Sequence, residues 1–491
     1  MLLKKTWIIL SAFVLIGLFF RTYQLVERFG FGHDADLYSW IVKDIVINHH
    51  FRLVGQLTSA EGIFIGPFFY YLLVPFYLIF GMDPIGSAFL SPILSILTIL
   101  SLYFVLSRLF NKRVGLIAAF LQAVLLGAVG FDRWVVPTIT TKLWTIWYLY
   151  TLFMISRGNF RVLPLLGVLI GLIWHVHLAL TPTLLAIPFS LAFSRKLPTL
   201  KQTALFLISL ILVSLPLLIF EARHNFIQTT SLIQTFFTGY GEGPVGWYKF
   251  WTNLDKIAKN VDTLFFLPLS LPENIKLPFT ISLLFSSLVL IKKKILKTSE
   301  VTILFVWITG IISYFTFSST LVSEYYFSNL DVIFLTIATL LIYTVFKSSL
   351  LGRYFILLLL TLLTVRNVVF YLTDDPYHIG YAEKLGITQF IISDAKENNF
   401  PCVAINYITM PGENVGFRYL FYINNLKLAP PSNKVPVYSI VFPYEWSKKE
   451  VAAVFGHMGV IPPANIPRQN LEYNCSGQNT NLTDPMFGYV E

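Results

Sequence analysis

Long apolar stretches alternate with short basic turns along most of the chain, from its first residues to about residue 372. Windows of about 20 apolar residues have the length of a helix that crosses the hydrocarbon core of a bilayer. Lys and Arg concentrate in cytoplasmic loops, so the basic turns set the register of the crossings. These turns are Lys4/Lys5, Arg108 to Arg113, Arg157 to Arg161, Arg195 to Lys201, Lys292 to Lys297 and Lys347 to Arg353.

This register predicts a polytopic all-α membrane protein of about 11 transmembrane helices, with a cytoplasmic N-terminus that acts as an uncleaved signal anchor. The predicted crossings lie at about 6–20, 86–107, 114–130, 139–156, 162–178, 180–194, 203–220, 277–291, 300–317, 330–346 and 354–372. The apolar run from Phe68 to Phe80 is not counted, because one more crossing would place the basic turn at 108–113 outside. We expect this run to lie at the interface or to re-enter the membrane within a large outer loop, residues 22–84, beside a cavity.

The first outer loop opens with the stretch GHDADLYSWIVKDI, from Gly32 to Ile45. Its apolar residues recur at helical spacing with Lys43 and Asp44 opposite, which is typical of a helix lying on a membrane surface. Asp34 and Asp36 stand at the head of this helix, where an Asp also serves as an N-terminal cap. For both carboxylates, the pattern alone does not distinguish a helix cap from a catalytic group.

The tail changes composition sharply from about Asp374 to Glu491. The segment KLGITQFIISDAKENN reads as a helix, and PCVAINYI and VPVYSIVF read as strands, which predicts a small α/β domain outside the cytoplasm. Its Cys402 and Cys475 are the only cysteines of the chain. Outside the cytoplasm they can form a disulfide, but the sequence leaves two free thiols equally open.

Composition agrees with a membrane protein, because 55% of the 491 residues are hydrophobic and only 13% are charged. The net charge of +10 does not point to nucleic acid, since the basic residues sit in the short turns between apolar spans. In this register several polar residues fall at the outer ends of the spans, which favours an outward-facing polar site, although wet outer loops carry polar residues anyway. They include Asp34, Asp36, Asp132, Arg133, His175, His177, Glu221, Arg223, His224 and Glu324.

The order of these features resembles the GT-C glycosyltransferases, in particular the protein O-mannosyltransferases and aminoarabinose transferases. The features are an Asp at the head of the first outer loop, an amphipathic helix, a GP-aromatic segment ending in FG, and a crossing that ends in a basic turn. The resemblance covers Lys4 to Ala192 by motif and the later spans by layout. In the family, the acid of the first outer loop is the Asp of an Asp-Glu pair and serves as the catalytic base. Asp34 matches this Asp, and Ala35 stands where the family has Glu. Asp36 is the alternative candidate for the catalytic base.

The resemblance implies transfer of a monosaccharide, with inversion, from a polyprenyl-phosphate donor to an extracytoplasmic acceptor, in the plasma membrane. Such a transfer needs a base for the acceptor hydroxyl, cations for the departing phosphate and an aromatic groove for the sugar. We expect Arg133, Arg223 and His224 to bind the phosphate, although each also suits a residue anchored at the interface. In the family an Asp follows the Arg of the second outer loop by five residues, whereas here Thr138 holds that position and Asp132 precedes Arg133. The remaining residues expected in the cavity are His175, His177, Glu324 and Tyr325.

A transporter or flippase of a lipid-linked sugar is the alternative, and it predicts inverted repeats and buried mid-membrane charges. We find no convincing repeat, and most acids cluster at one face. An oligosaccharyltransferase is a further alternative, but the tail lacks that family's WWD motif. No cofactor is predicted with certainty. His175 and His177 are two residues apart and do not share a helix face, so they do not suggest a pair of metal ligands. A divalent ion near Asp34 and Asp36 stays open.

Overall fold

The computed structural model describes residues 2–58, 62–238, 243–376, 378–464 and 470–482. Helices dominate the chain as far as Thr373. They are α1 (Leu2–Thr22), α2 (His33–Ile47), α3 (Phe68–Ile79), α4 (Ile85–Ala88), α5 (Leu90–Leu109), α6 (Lys112–Val124), α7 (Leu126–Arg133), α8 (Thr141–Ser156), α9 (Leu163–Val176), α10 (Ala186–Ser194), α11 (Leu200–Arg223), α12 (Ile227–Thr238), α13 (Trp247–Phe266), α14 (Glu273–Lys292), α15 (Thr298–Phe317), α16 (Leu330–Ser348) and α17 (Leu350–Thr373). Short 3-10 segments join them at Pro137–Thr140, Phe160–Val162, Leu178–Leu185 and Glu324–Phe327.

Seven helices in the described part of the chain are long and apolar enough to cross a membrane, and each lies at a predicted crossing. They are α1, α5, α11, α14, α15, α16 and α17. Helices α6 and α7, bent by 65° at their junction, form one further candidate. The other three predicted crossings correspond to α8, to α9 and to Leu178–Leu185 with α10, which are shorter. The polytopic helical architecture is therefore confirmed, while the count of 11 crossings stays a prediction.

The bend between α6 and α7 turns α7 against α13. Leu125 at the junction has an extended backbone, which interrupts the helix. Gly127 follows, and a Cβ atom there would lie 2.2 Å from the carbonyl oxygen of Thr263 on α13. Only a glycine allows the two backbones to approach this closely. The bend thus determines where Asp132 and Arg133, at the end of α7, are placed.

Helix α2 forms where the amphipathic pattern predicts it, but the side that carries its charges does not face water. Its supposed polar face is buried: Lys43 packs against the rings of Trp40 and Tyr422, and Asp44 is 1% exposed and pairs with Arg52 at 2.8 Å. The expectation that these charges face water is wrong, because Tyr422 of the soluble domain covers Lys43 and Arg52 of the first outer loop pairs with Asp44. A sequence period cannot distinguish a water-covered polar face from one covered by another domain.

Residues 22–84, the predicted first outer loop, also contain α3, which packs on α2. At 12 residues it is about 18 Å long, too short to cross a hydrocarbon core of about 30 Å. Buried hydroxyl pairs tie this loop together, with Tyr38 and Ser87 at 2.9 Å and Ser39 and Tyr77 at 2.6 Å. The run from Phe68 to Phe80 thus forms a short helix, and its place at the interface or within the membrane stays a prediction.

The tail folds into a small α/β domain with one four-stranded sheet. Its elements are α18 (Tyr381–Glu397), β1 (Ala404–Thr409), α19 (Arg418–Ile423), β2 (Val437–Phe442), β3 (Ala453–Phe455), β4 (Met458–Ile461) and α20 (Leu471–Asn474). The strand order is β1-β2-β4-β3; β1 and β2 run parallel, and the other pairs are antiparallel. The predicted helix and both predicted strands are present, and Cys402 and Cys475 form a buried disulfide.

The soluble domain is docked on the first outer loop through hydrogen bonds to its backbone. The Tyr381 N–H donates to the carbonyl of Phe29 (2.9 Å), and the Lys384 ammonium donates to the carbonyl of Phe31 (2.7 Å). The Tyr381 hydroxyl also donates to Asp83 (2.6 Å). Further contacts join Arg28 to Asp374 and Tyr419 to Met82. The segment leading into α2 is therefore held from both the membrane part and the soluble domain.

Candidate active site

Asp34 is the second residue of α2 and lines a cavity of about 160 Å³, here called the Asp34 cavity. The side chain is half-buried, and its carboxylate makes no hydrogen bond or ion pair with any residue in the described ranges. An ionised carboxylate only accepts hydrogen bonds, so a free one beside a cavity can receive a proton from a bound hydroxyl. Of the two acids predicted for catalysis, Asp34 has this geometry.

Three other predicted residues, Thr138, His177 and Tyr325, line the same cavity. The backbone N–H of Ala179 donates to Nδ1 of His177 (3.0 Å), so the neutral imidazole carries its proton on Nε2 and can donate from there. The His177 ring stands perpendicular to Tyr325, with 5.5 Å between centroids. The Thr138 hydroxyl is buried and has no partner among the described residues.

Trp134 joins three cavities, and the sequence did not single it out. It lines the Asp34 cavity and both larger cavities beside it, and its ring meets Tyr325 edge-on at 5.7 Å. The side chain is 44% exposed, although it lies among buried residues. Its position directly after Arg133 in FDRWVVPT was the available signal, because an aromatic residue beside a candidate phosphate ligand is suited to contact a sugar.

A cavity of about 710 Å³ lies between the membrane part and the soluble domain and is here called the interdomain cavity. Arg133 lines it, and its guanidinium donates to the carbonyls of Phe20, Tyr23 and Gln24 and to the Tyr371 hydroxyl, at 3.0 to 3.1 Å. All of these partners are neutral, so none cancels its positive charge. Apolar residues of the spans form part of the wall, among them Leu126, Val129 and Phe370.

The third cavity, about 460 Å³, is here called the acidic cavity. It is lined by the predicted residues Glu324 and Tyr325 and by Ser328 and Asp331, which sequence reasoning missed. Glu324 is largely exposed and lies 3.5 Å from Lys256. Asp331 had a weak signal in the sequence, since an acid at the start of a span usually faces a protein interior or a wet cavity.

Asp36, the alternative catalytic acid, faces the soluble domain instead of the Asp34 cavity. It is 4% exposed, and its carboxylate accepts the backbone N–H of Tyr419 at 2.9 Å. Burial raises the pKa of Asp36 to about 6, against the opposing effects of the Tyr419 hydrogen bond and of Arg418 and Lys384. Burial also lowers the pKa of Lys384 to about 8. Asp36 therefore joins two parts of the molecule and lines none of the three cavities.

Asp132 is also buried, and it is the centre of a polar cluster between spans. Its carboxylate pairs with Arg21 at 2.8 Å and lies 3.4 Å from the Lys142 ammonium. Ser95 and Gln122 donate to the same carboxylate, each at 3.0 Å. Because both oxygens of its carboxylate contact polar groups of neighbouring helices, Asp132 connects helices, and it does not line the three cavities.

The remaining predicted residues lie away from Asp34. His175 is buried, with its Nε2 3.0 Å from the carbonyl of Val213, and its ring packs on Gly66 of the first outer loop. Arg223 and His224 are exposed at the end of α11, where the His224 ring stacks on Phe220. None of the three lines the Asp34 cavity or its two neighbours. In the part of the chain that the structure describes, no three His, Cys, Asp or Glu side chains converge as metal ligands would.

Among solved structures, the fold is similar to that of another membrane protein over nearly the whole chain. ArnT from Cupriavidus metallidurans, bound to undecaprenyl phosphate, superposes with a TM-score of 0.59 at 12% identity, over 93% of this chain and 97% of ArnT. This chain has the GT-C fold. Apo ArnT from the same organism agrees, with a TM-score of 0.58 over 93% of this chain and 98% of that one.

The GT-C fold is accompanied by a match at the level of sequence. Residues 65–220 match the family model described as dolichyl-phosphate-mannose-protein mannosyltransferase, which is less than half of the chain. The oligosaccharyltransferase of Archaeoglobus fulgidus, in complex with zinc and sulfate, gives a TM-score of 0.48 at 13% identity over 90% of this chain and 68% of that one. No curated protein sequence matches the chain. The resemblance to GT-C glycosyltransferases predicted from the sequence is confirmed.

Proposed function

We propose that this protein is a membrane glycosyltransferase that moves a monosaccharide from a polyprenyl-phosphate carrier to an acceptor outside the cytoplasm. The GT-C fold, the mannosyltransferase family match over residues 65–220 and the undecaprenyl phosphate in the ArnT structure support this proposal. The observation that carries it is the free carboxylate of Asp34, in an aromatic cavity that Trp134 connects to a cavity lined by Arg133 and by apolar span residues.

Asp34 is the general base in this proposal. Its carboxylate takes the proton of the acceptor hydroxyl, and the oxygen attacks the anomeric carbon of the sugar. As the new C–O bond forms, the bond from that carbon to the phosphate oxygen breaks, and its electron pair leaves with the polyprenyl phosphate. Attack opposite the leaving group inverts the anomeric configuration. The Nε2–H of His177 is placed to donate to a sugar hydroxyl or ring oxygen in the same cavity.

Arg133 stabilises the phosphate that leaves. Its positive charge is not cancelled by a contacting carboxylate, and its four hydrogen bonds to neutral oxygens hold it in one orientation. Preorganised cations of this kind favour the charge that develops on the leaving phosphate. The apolar wall beside it suits the prenyl chain. Arg223 and His224 are assigned no role in this step, because they line none of the three cavities.

The protein is further proposed to reside in the plasma membrane with its soluble domain outside the cytoplasm. The Cys402–Cys475 disulfide supports this orientation, because structural disulfides persist in oxidising compartments and are rare in the cytosol.

Turnover of radiolabelled polyprenyl-phosphate hexose by the purified protein in liposomes tests the proposal. Asp34→Asn keeps the size of the side chain but removes the base, and a positioned base contributes about 100-fold to 10,000-fold. We therefore expect release or transfer of the sugar to fall at least about 100-fold. Asp255→Asn is the matched control, since Asp255 lies on the exposed side of α13, and it should behave as wild type.

Two results would contradict the proposal. Full activity of Asp34→Asn would remove Asp34 from the mechanism. Lipid that stays intact but changes leaflet, in wild type and variant alike, would favour a flippase.

A further inference from the structure

The acidic cavity carries two buried polar atoms that no residue in the described ranges satisfies. We propose that this cavity is a subsite for the hydroxyl groups of a sugar, bound by Asp331 and Ser328. The inference rests on the proposed glycosyltransferase function, because it assigns part of that substrate to a place beside Asp34.

Ser328 and Asp331 lie one helical turn apart at the start of α16, and both line the cavity. Ser328 is 3% exposed, and its hydroxyl has no partner among the described residues. One carboxylate oxygen of Asp331, Oδ1, is likewise buried and unpaired. The backbone N–H of Asp331 donates to the carbonyl of Ser328 at 3.2 Å, which fixes the two side chains relative to each other.

Unsatisfied polar groups of this kind are rare, because burying one without a hydrogen bond is costly. A carboxylate oxygen only accepts hydrogen bonds, whereas a serine hydroxyl both donates and accepts. Two neighbouring hydroxyls of a sugar supply what this pair lacks: one donates to Asp331, and the other exchanges a hydrogen bond with Ser328. Such a site also rejects an analogue that lacks the hydroxyl, because the protein groups would then stay unpaired.

The lining of the acidic cavity offers no cation to a phosphate. It includes the acids Glu324 and Asp331, and no Lys or Arg is among the described residues that line it. The interdomain cavity is lined by Arg28, Arg133 and Lys384 together with the acids Glu27, Asp374 and Glu413, and the Arg133 guanidinium contacts only neutral oxygens. A phosphate therefore finds an available cation in the interdomain cavity and none among the described residues that line the acidic cavity.

Aromatic walls complete the subsite. Trp134 and Tyr325 belong to both the acidic cavity and the Asp34 cavity, and their rings meet at a centroid distance of 5.7 Å. Their faces suit the C–H surface of a sugar ring, while the polar rim binds its hydroxyls. A sugar in this position therefore lies next to the cavity of the proposed base.

The sugar can come from two sources, the monosaccharide of the donor or a glycan acceptor, and binding measurements separate them. The variants are Asp331→Asn, which keeps the size of the side chain, and Ser328→Ala. Ser287→Ala is the matched control, because Ser287 is also a buried serine with an unpaired hydroxyl in a span, but it lies outside the three cavities. The probes are polyprenyl-phosphate hexose, polyprenyl phosphate without the sugar, and an alkyl hexoside.

If the subsite holds the donor sugar, wild type binds the hexose-bearing lipid more tightly than the bare lipid phosphate. Asp331→Asn and Ser328→Ala then each reduce that preference about tenfold, as expected for the loss of one hydrogen bond. If it holds an acceptor sugar, both lipid affinities stay unchanged and binding of the alkyl hexoside weakens about tenfold. Either result supports the subsite, provided that Ser287→Ala matches wild type.

Unchanged binding of all three probes in Asp331→Asn and Ser328→Ala would overturn the inference. This outcome is separate from failure of the proposed function, because the binding measurements require no turnover. Full activity of Asp34→Asn would show that Asp34 is not the base. The binding measurements would still test the sugar subsite, because they do not depend on Asp34.

Discussion

Asp34 and Asp36 stand two residues apart on one helix, yet their surroundings are opposite. Two residues correspond to a rotation of about 200° around a helix axis, so the side chains point to different sides of α2. Asp34 reaches the cavity shared with His177 and Tyr325, and Asp36 reaches the backbone of Tyr419. The difference separates a group available for chemistry from one that is buried in an interface.

The pH dependence of stability tests the structural assignment of Asp36. Its pKa is raised from 3.8 to about 6 in the folded protein, so the folded state binds an extra proton between these values. The contribution of Asp36 to stability is therefore most favourable at low pH and falls as the pH rises from about 4 to about 6, by about 3 kcal/mol at most. Asp36→Asn, which keeps an acceptor for the Tyr419 N–H, should flatten this slope, as measured by melting temperature from about pH 3.5 to about pH 6.5, a range that contains both pKa values.

Activity provides the second readout for Asp36. Asp36→Asn should retain turnover of the same order as wild type at neutral pH, in contrast to Asp34→Asn. Asp255→Asn, on an exposed helix surface, should keep the wild-type slope of melting temperature against pH. Loss of turnover in Asp36→Asn without a change of stability would instead indicate that Asp36 takes part in catalysis.

At the scale of elements, the polar cluster around Asp132 decides how the first spans assemble. Asp132 on α7 receives hydrogen bonds from Arg21 of α1, Ser95 of α5 and Gln122 of α6, and Lys142 of α8 lies beside it. A single carboxylate thus joins four other helices of the bundle. In a medium without water such contacts are strong constraints on packing, because each alternative leaves a polar group unsatisfied.

Removal of the Asp132 charge should destabilise the bundle. Asp132→Asn leaves Arg21 and Lys142 buried without an opposite charge, which costs about 3–5 kcal/mol when one partner of a buried pair is lost. We expect a lower melting temperature and less monodisperse protein in detergent. Glu273→Gln is the control, because Glu273 pairs with Lys276 but its side chain is 71% exposed, and such pairs contribute little. An unchanged melting temperature with lost turnover would mean that Asp132 takes part in the chemistry.

At the scale of the molecule, the soluble domain acts as a clamp on the loop that carries the proposed base. Lys384 and Tyr381 bind the backbone of Phe31 and Phe29, just before α2, and Asp36 binds the domain in return. The interdomain cavity lies between the two parts. Docking of the domain therefore fixes both the position of Asp34 and one wall of the large cavity.

The disulfide of the soluble domain should be needed for this clamp. Cys402 and Cys475 are separated by 73 residues in sequence and are both buried, and loss of a native disulfide from a small domain costs about 2–5 kcal/mol. The double variant Cys402→Ser/Cys475→Ser should make the tail sensitive to limited proteolysis while the spans remain protected. Wild type treated with a reductant is the control and should show the same pattern. Resistance of the tail in both samples would show that the disulfide is dispensable.

The sequence by itself determined the helical membrane class, the positions of the main spans, the short helix at Phe68–Ile79 and the α/β tail. Hydropathy, charge bias and local period control these features, and all three act between residues close together in the chain. It also found Asp34, Thr138, His177 and Tyr325, which do meet in one cavity.

Only the tertiary structure decided which of the two acids, Asp34 or Asp36, faces a cavity. It also showed that Trp134 lines three cavities, and that buried polar atoms of Ser328 and Asp331 have no hydrogen-bond partner among the described residues. It likewise showed that the polar face of α2 is buried, with Lys43 against the soluble domain and Asp44 against Arg52 of the first outer loop. Each of these facts depends on contacts between segments far apart in the chain, such as Asp36 with Tyr419 or Arg21 with Asp132. A local pattern carries no information on such partners, because burial and pairing arise only when distant elements pack together.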